Sequence, residues 1–148
     1  MSTYTQIYIH LVFHVQNNQP LLKGEIKARI FKYIAGIIKN LGHKPIIING
    51  VSDHVHILVG LSPDKTISDL VKKVKRCSTN FINENKFFRG KFYWQEGYGA
   101  FSYSRSQLDD VVRYIKNQEQ HHRKWTFREE YLKILDKFGV DYDPRYIE

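Results

Sequence analysis

From Tyr4 to Val15 the side chains alternate with a period of two. Ile7, Ile9, Leu11, Phe13 and Val15 take one face, and Gln6, Tyr8, His10 and His14 the other. Because successive side chains of a strand point to opposite sides, this pattern predicts a strand with one buried face. Asn17, Asn18 and Pro20 end it. Over 22–41 the spacing turns helical: Ile26, Ile30, Ile34, Ile37, Ile38 and Leu41 form one stripe, and Gly42 supplies the stop. Pro45–Val51 and His54–Val59 read as two short strands paired antiparallel, with Asn49-Gly50 as turn chemistry.

Thr66 opens the next helix, with Asp69 as the acidic residue of its first turn and Ile67, Leu70, Val71, Val74, Cys77 and Phe81 as its apolar stripe. Residues 86–104 are rich in aromatics and glycine. They predict a strand around Lys91–Gln95, a glycine-hinged loop and an extended stretch to Tyr103. Ser106, with Asp109 at N3, predicts a helix to about His122; Thr126 and Glu129 form a capping box for a last helix to Phe138, closed by Gly139. The order strand, helix, strand, strand, helix, strand matches an α+β, ferredoxin-like split βαβ sheet with helices on one face and the other face free to carry a site. No repeat or linker divides residues 1–148, so one domain is expected.

Charge narrows the partners. Lys and Arg total 23 against 15 Asp and Glu, a formal charge of +8, and this field attracts polyanions such as nucleic acid. The single cysteine, Cys77, excludes an internal disulfide framework. No apolar run reaches the ~20 residues of a membrane span, and no leader pattern opens the chain. A cytoplasmic protein without a membrane partner is expected.

The sharpest chemical feature is Asp53-His54-Val55-His56. Residues two apart on a strand share a face, so His54 and His56 present two imidazoles near enough to grip one metal ion, with Asp53 available to orient a ring. Tyr114 and Gln118, four apart, share a helix face. At about 100° per residue they and His121 point about 110° away from the stripe of Leu108, Val111, Val112 and Ile115. Packing explains such a tyrosine poorly, although an interface or partly exposed tyrosine is the commoner case; phosphoryl transfer is a chemistry that would use it. A phenol oxygen attacking a phosphodiester keeps the bond energy in a phosphotyrosine, so rejoining needs no ATP. A cation beside it polarises the phosphate and favours phenolate, and the Gln118 oxygen suits a third ligand.

Together, Tyr4–His14, Asp53-His54-Val55-His56, Trp94-Gln95-Glu96-Gly97-Tyr98 and Tyr114-Ile115-Lys116-Asn117-Gln118 with His121-His122 resemble the small single-tyrosine transposases of the HUH class, the insertion-sequence 200/605 group. The resemblance covers nearly the whole chain in the right order. It implies an HUH fold with a C-terminal catalytic helix, Tyr114 as nucleophile, and Mg²⁺ or Mn²⁺ on His54, His56 and Gln118. It implies a homodimer acting on hairpin ends of single-stranded DNA, with a 5′-phosphotyrosine and a free 3′-hydroxyl as products. Gly97 and Gly99 would permit a swing of the tyrosine helix between subunits, although a glycine-rich turn explains them more plainly. The resemblance also makes Lys72, Lys73, Lys75, Arg76, Arg105 and Arg113 candidates for phosphate contact. It leaves His121 and His122 without a role, and His10, His14 and His43 as structural or surface residues.

Two other readings use the same residues. A non-catalytic nucleic-acid module, or a domesticated relative that processes chromosomal repeats, would share the sheet; the aromatic pattern of RNA-recognition sheets is absent. Histidine-triad hydrolases need a third histidine two positions on, where Leu58 stands.

Overall fold

The computed structural model describes residues 2–147. Its centre is a four-stranded antiparallel sheet of β1 (Tyr8–His14), β2 (Lys44–Val51), β3 (His54–Gly60) and β4 (Gly99–Tyr103), in the order β2-β3-β1-β4. Helices α1 (Gly24–Asn40) and α2 (Ile67–Glu84) cross over on one face. This is the split βαβ arrangement expected.

The alternation of β1 and β3 builds that face. Ile9, Leu11, Phe13, Val55, Ile57 and Val59 meet Ile30, Ile34 and Ile38 of α1 and Leu70, Val71 and Val74 of α2 in one buried cluster. Each such side chain stabilises by roughly 1.5–3 kcal/mol through removal from water. The helix signals act as expected. Thr66 Oγ1 accepts from the Asp69 N–H at 3.1 Å, Thr126 and Glu129 form their capping box, and Gly42 and Gly139 take φ of 88° and 64° just past their helices.

Three boundaries differ. The β2–β3 turn falls at Ser52-Asp53, and Asn49 and Gly50 lie inside β2. Gly50 sits where no side chain fits: a Cβ there would lie 2.2 Å from the His54 carbonyl oxygen. Lys91–Gln95 is no regular strand. Phe92 is tied by its backbone to the Asn83 side chain, and Trp94 makes a lone bridge to Val15. The chain then turns at Gly97, φ 94°, and the fourth strand is Gly99–Tyr103. Gly99 is no hinge but a close approach, because a Cβ there would lie 2.7 Å from the Tyr131 hydroxyl. Lastly, the Ser104–Gln107 capping box begins the next helical stretch, not Ser106.

The other sheet face is not bare. The segment expected as one helix to His122 is α3 (Leu108–Lys116), broken at Asn117 (φ −97°, ψ 24°) and resumed as α4 (Gln118–His121). With α5 (Phe127–Lys137) it covers the second face of the sheet. Leu58 packs with Leu108, Val111 and Ile115, and Val12 with Phe127, Ile134 and Leu135. The sheet thus has helices on both sides, the second layer made by the C-terminal segment that follows β4. Among the described residues no helix is long and apolar enough to cross a membrane.

Candidate active site

The strand register puts His54 and His56 on the face opposite the α1/α2 core, both fully buried. Each ring is held from behind. His54 Nδ1 lies 2.8 Å from Asp53 Oδ1, and His56 Nδ1 lies 2.7 Å from His10 Nε2. Both Nε2 atoms are thereby aimed outward from the sheet, the use of outer partners common around metal-binding imidazoles. His10, expected to be merely structural, is the residue that holds His56. His43 is structural, accepting from the Ser62 N–H at 2.9 Å. His14 Nδ1 lies 3.0 Å from the Val15 carbonyl oxygen.

The tyrosine segment is fixed from β2. Asn49 Nδ2 donates to the carbonyls of Ile115 and Lys116 at 2.9 and 3.2 Å. These are among the orphan acceptors at the end of α3. The helix breaks directly after, yet Tyr114 and Gln118 still reach one place. Gln118 is fully buried, with Oε1 3.3 Å from His54 Nε2.

At that place stands Glu130 of α5, which the sequence reading missed. Its Oε1 lies 3.2, 3.1 and 3.1 Å from Nε2 of His54, His56 and His122. Its Oε2 accepts from Gln118 Nε2 at 3.0 Å and from the Tyr114 hydroxyl. A signal existed: Glu130 falls on the apolar stripe of α5 between Phe127 and Ile134, and a lone carboxylate there requires partners. His122, left without a role, is one of them, while the His121 ring lies 4.7 Å from that of Tyr114.

Burial by itself would raise the Glu130 pKa, but hydrogen bonds from His122, His54 and His56 outweigh it and hold the carboxyl well below its usual range. Burial works against a charged His54 too, yet its bonds to Asp53 and Glu130 raise it above an ordinary imidazole. Burial lowers His56 and, further still, His10. Tyr114 is pushed far up by burial, then by the Glu130 charge and the bond to it. The phenol is therefore protonated in this arrangement.

The donor set suits a divalent metal cation. Ligand atoms of His54, His122 and Glu130 all lie within 4.8 Å of one another. His56 Nε2 and Gln118 Oε1 border the same spot. Imidazole, amide and carboxylate donors can together hold a divalent metal ion.

The basic candidates separate by place. Lys72, Lys73 and Arg76 are exposed on α2, across the sheet from the histidines. Lys75 is half-buried, donating to the carbonyls of Gln95 and Gly97 at 2.8 and 2.5 Å, and burial lowers its pKa to about 8. Arg105 and Arg113 are exposed around the start and middle of the tyrosine helix, Arg113 lying 3.4 Å from Asp110.

The fold and this histidine–tyrosine face define an HUH-type, single-tyrosine transposase architecture. A candidate transposase of Deinococcus radiodurans superposes with a TM-score of 0.65 at 21% identity, over 80% of this chain and 95% of that one. A REP-associated tyrosine transposase bound to a REP hairpin superposes at 0.62 with 15% identity, over 85% and 76%. The chain belongs to the IS200-like transposase family, whose sequence pattern matches residues 3–118. It is 26% identical over 119 residues to the ISDra2 transposase TnpA of Deinococcus radiodurans, covering 76% of this chain and 84% of that protein.

Proposed function

We propose that this transposase-family chain cleaves and rejoins single-stranded DNA through a covalent 5′-phosphotyrosine on Tyr114. The observation that carries the reading is the convergence of Tyr114, Gln118 and the Nε2 atoms of His54 and His56 on one carboxylate. The residues that would hold Mg²⁺ or Mn²⁺ are His54, His56 and Gln118, with His122 and Glu130 as further donors. The ion supplies positive charge that polarises a phosphate oxygen and favours phenolate.

The protein's part is positional. Asp53 and His10 fix the two imidazoles; Asn49 fixes the end of the tyrosine helix. The Tyr114 oxygen attacks phosphorus and gives up its proton; the P–O3′ bond breaks and the departing 3′-oxygen takes a proton. Attack by a 3′-hydroxyl on the phosphotyrosine reverses these changes and joins DNA.

The charge of +8 and the hairpin held by the REP-associated relative support hairpin-ended single strands as the substrate. Arg105, just before the tyrosine helix, and Arg113, on it, are better placed for phosphate than the exposed cations of α2. The homodimer implied by family resemblance belongs to the same reading, and sedimentation at micromolar concentration tests it.

The central test is a denaturing gel after incubation with hairpin oligonucleotides from the chain's own genomic flank and Mn²⁺. A protein–DNA adduct is expected and should fall roughly a thousandfold or more in Tyr114→Phe. Binding without adduct in any metal would favour a non-catalytic nucleic-acid module instead.

A further inference from the structure

Beside the histidine cluster lies a cavity of about 310 Å³, and Tyr114 and Glu130 belong to its wall as well as to the cluster. That volume is at the small end of the roughly 300–1,000 Å³ of ligand sites, fitting one nucleotide and not a duplex. Aromatic rings shape it. Tyr103 and Phe138 meet edge to face at 5.4 Å. Trp125 stands at the rim, 37% exposed, with Lys133 Nζ 3.2 Å from its ring centre. The Asp110 carboxylate joins the rim from α3. His10 also lines the cavity: it is 1% exposed, its Nε2 is held by His56, and its Nδ1 has no hydrogen-bond partner among the described residues.

An ordinary gap between packed helices would not collect a cation, a carboxylate and an unpaired imidazole nitrogen around aromatic walls. Lys133 and Asp110 are hydrated at the rim, Asp110 also lying 3.4 Å from Arg113, but a purely apolar ligand would leave the buried His10 Nδ1 unpaired. A nucleobase uses every part: its π-face stacks on aromatic side chains, and its edge offers acceptors to Lys133 and donors to Asp110. Bases of a single strand are free to leave their neighbours and enter such a pocket.

We infer that this cavity receives one unstacked nucleobase of the single-stranded substrate, adjacent to the phosphodiester presented to Tyr114. The inference rests on the cleavage reading above. Trp125, Lys133 and Phe138 all follow Gln118, where the family match ends, while His10, Tyr103 and Asp110 lie within it, so the base would be held jointly by the matched segment and the C-terminal residues beyond it.

The test separates base binding from cleavage. The wild-type protein is titrated in EDTA with the octamers dT8 and dA8 and with an abasic octamer of equal charge, while tryptophan fluorescence is read. Of the two tryptophans, Trp94 is buried and bonded to Ser78 Oγ at 2.9 Å, so a quench by DNA reports Trp125. The base-bearing octamers are expected to quench and to bind about tenfold tighter than the abasic one. Trp125→Leu should lose both the quench and the tenfold preference, and Lys133→Gln, which keeps the indole, should weaken the preference. An abasic octamer that binds and quenches as well as dT8 would overturn the inference, leaving a charged surface only. Loss of base preference with adduct formation intact sinks the pocket alone; quenching intact with no adduct sinks the cleavage reading alone.

Discussion

The two faces of the sheet are made by the same strands and obey different physics. On the α1/α2 face, Leu11, Phe13, Val55 and Ile57 contribute bulk, and any one is supported by many neighbours. On the α3–α5 face, His10, His54, His56, Gln118 and Glu130 are as deeply buried, but their polar atoms depend on a few named partners. Apolar contacts degrade gradually as atoms are removed. A buried polar network fails when one member goes, because the partner left behind has lost its solvent as well as its bond. One face should therefore answer substitution in stability, the other chiefly in chemistry.

Several measurements would break or sharpen that contrast. The largest expected effect is His54→Ala: Mn²⁺-dependent adduct formation should fall roughly a thousandfold while far-UV circular dichroism stays native. Wild-type rates in this variant would remove the histidines from the chemistry. Next, Ile57→Ala, one residue from His56 but facing the core, should cost about 2–5 kcal/mol in urea unfolding and leave the surviving folded fraction active. Asp53→Asn should weaken Mn²⁺ binding by about 10–100-fold by calorimetry, with little loss of stability.

Glu130→Gln tests the network's centre. Removing the charge should lower the Tyr114 pKa toward its ordinary value in metal-free protein, read by ultraviolet titration of phenolate. No change would mean that burial alone sets it. The smallest effect concerns pH. His10 is buried with a depressed pKa, so below about pH 6.5 the unfolded chain takes up a proton there that the folded chain refuses. Its contribution to stability is complete above that pH and is lost as pH falls. The rate of loss is up to about 1.4 kcal/mol per unit. Between pH 7 and 5.5 the urea midpoint of metal-free wild type should fall relative to His10→Gln. The raised His54 acts oppositely in both proteins and cancels in that difference.

Most of the scaffold was legible because its signals are local. Strand alternation placed His54 and His56 on one face, and Thr66, Gly42, Thr126 and Gly139 marked helix ends at their true positions. What escaped notice was set by long-range contact. The break at Asn117 is stabilised from β2, where Asn49 takes the α3 carbonyls. The true fourth strand, Gly99–Tyr103, was obscured by the more apolar Phe92–Trp94, whose rings belong to the core beside Phe13. Glu130 was missed because its meaning lies in partners 8, 74 and 76 positions away, although its place on an apolar stripe was there to be seen.

The tight seat of Gly50 against the His54 carbonyl has a consequence for how variants are read. A slip of β3 by one residue would turn its imidazoles into the aliphatic layer and its valines out of it. A side chain at position 50 would collide with the His54 carbonyl, so a substitution there has to displace the start of β3. A substitution at Gly50 is therefore expected to disturb the histidines through the backbone, without touching either imidazole.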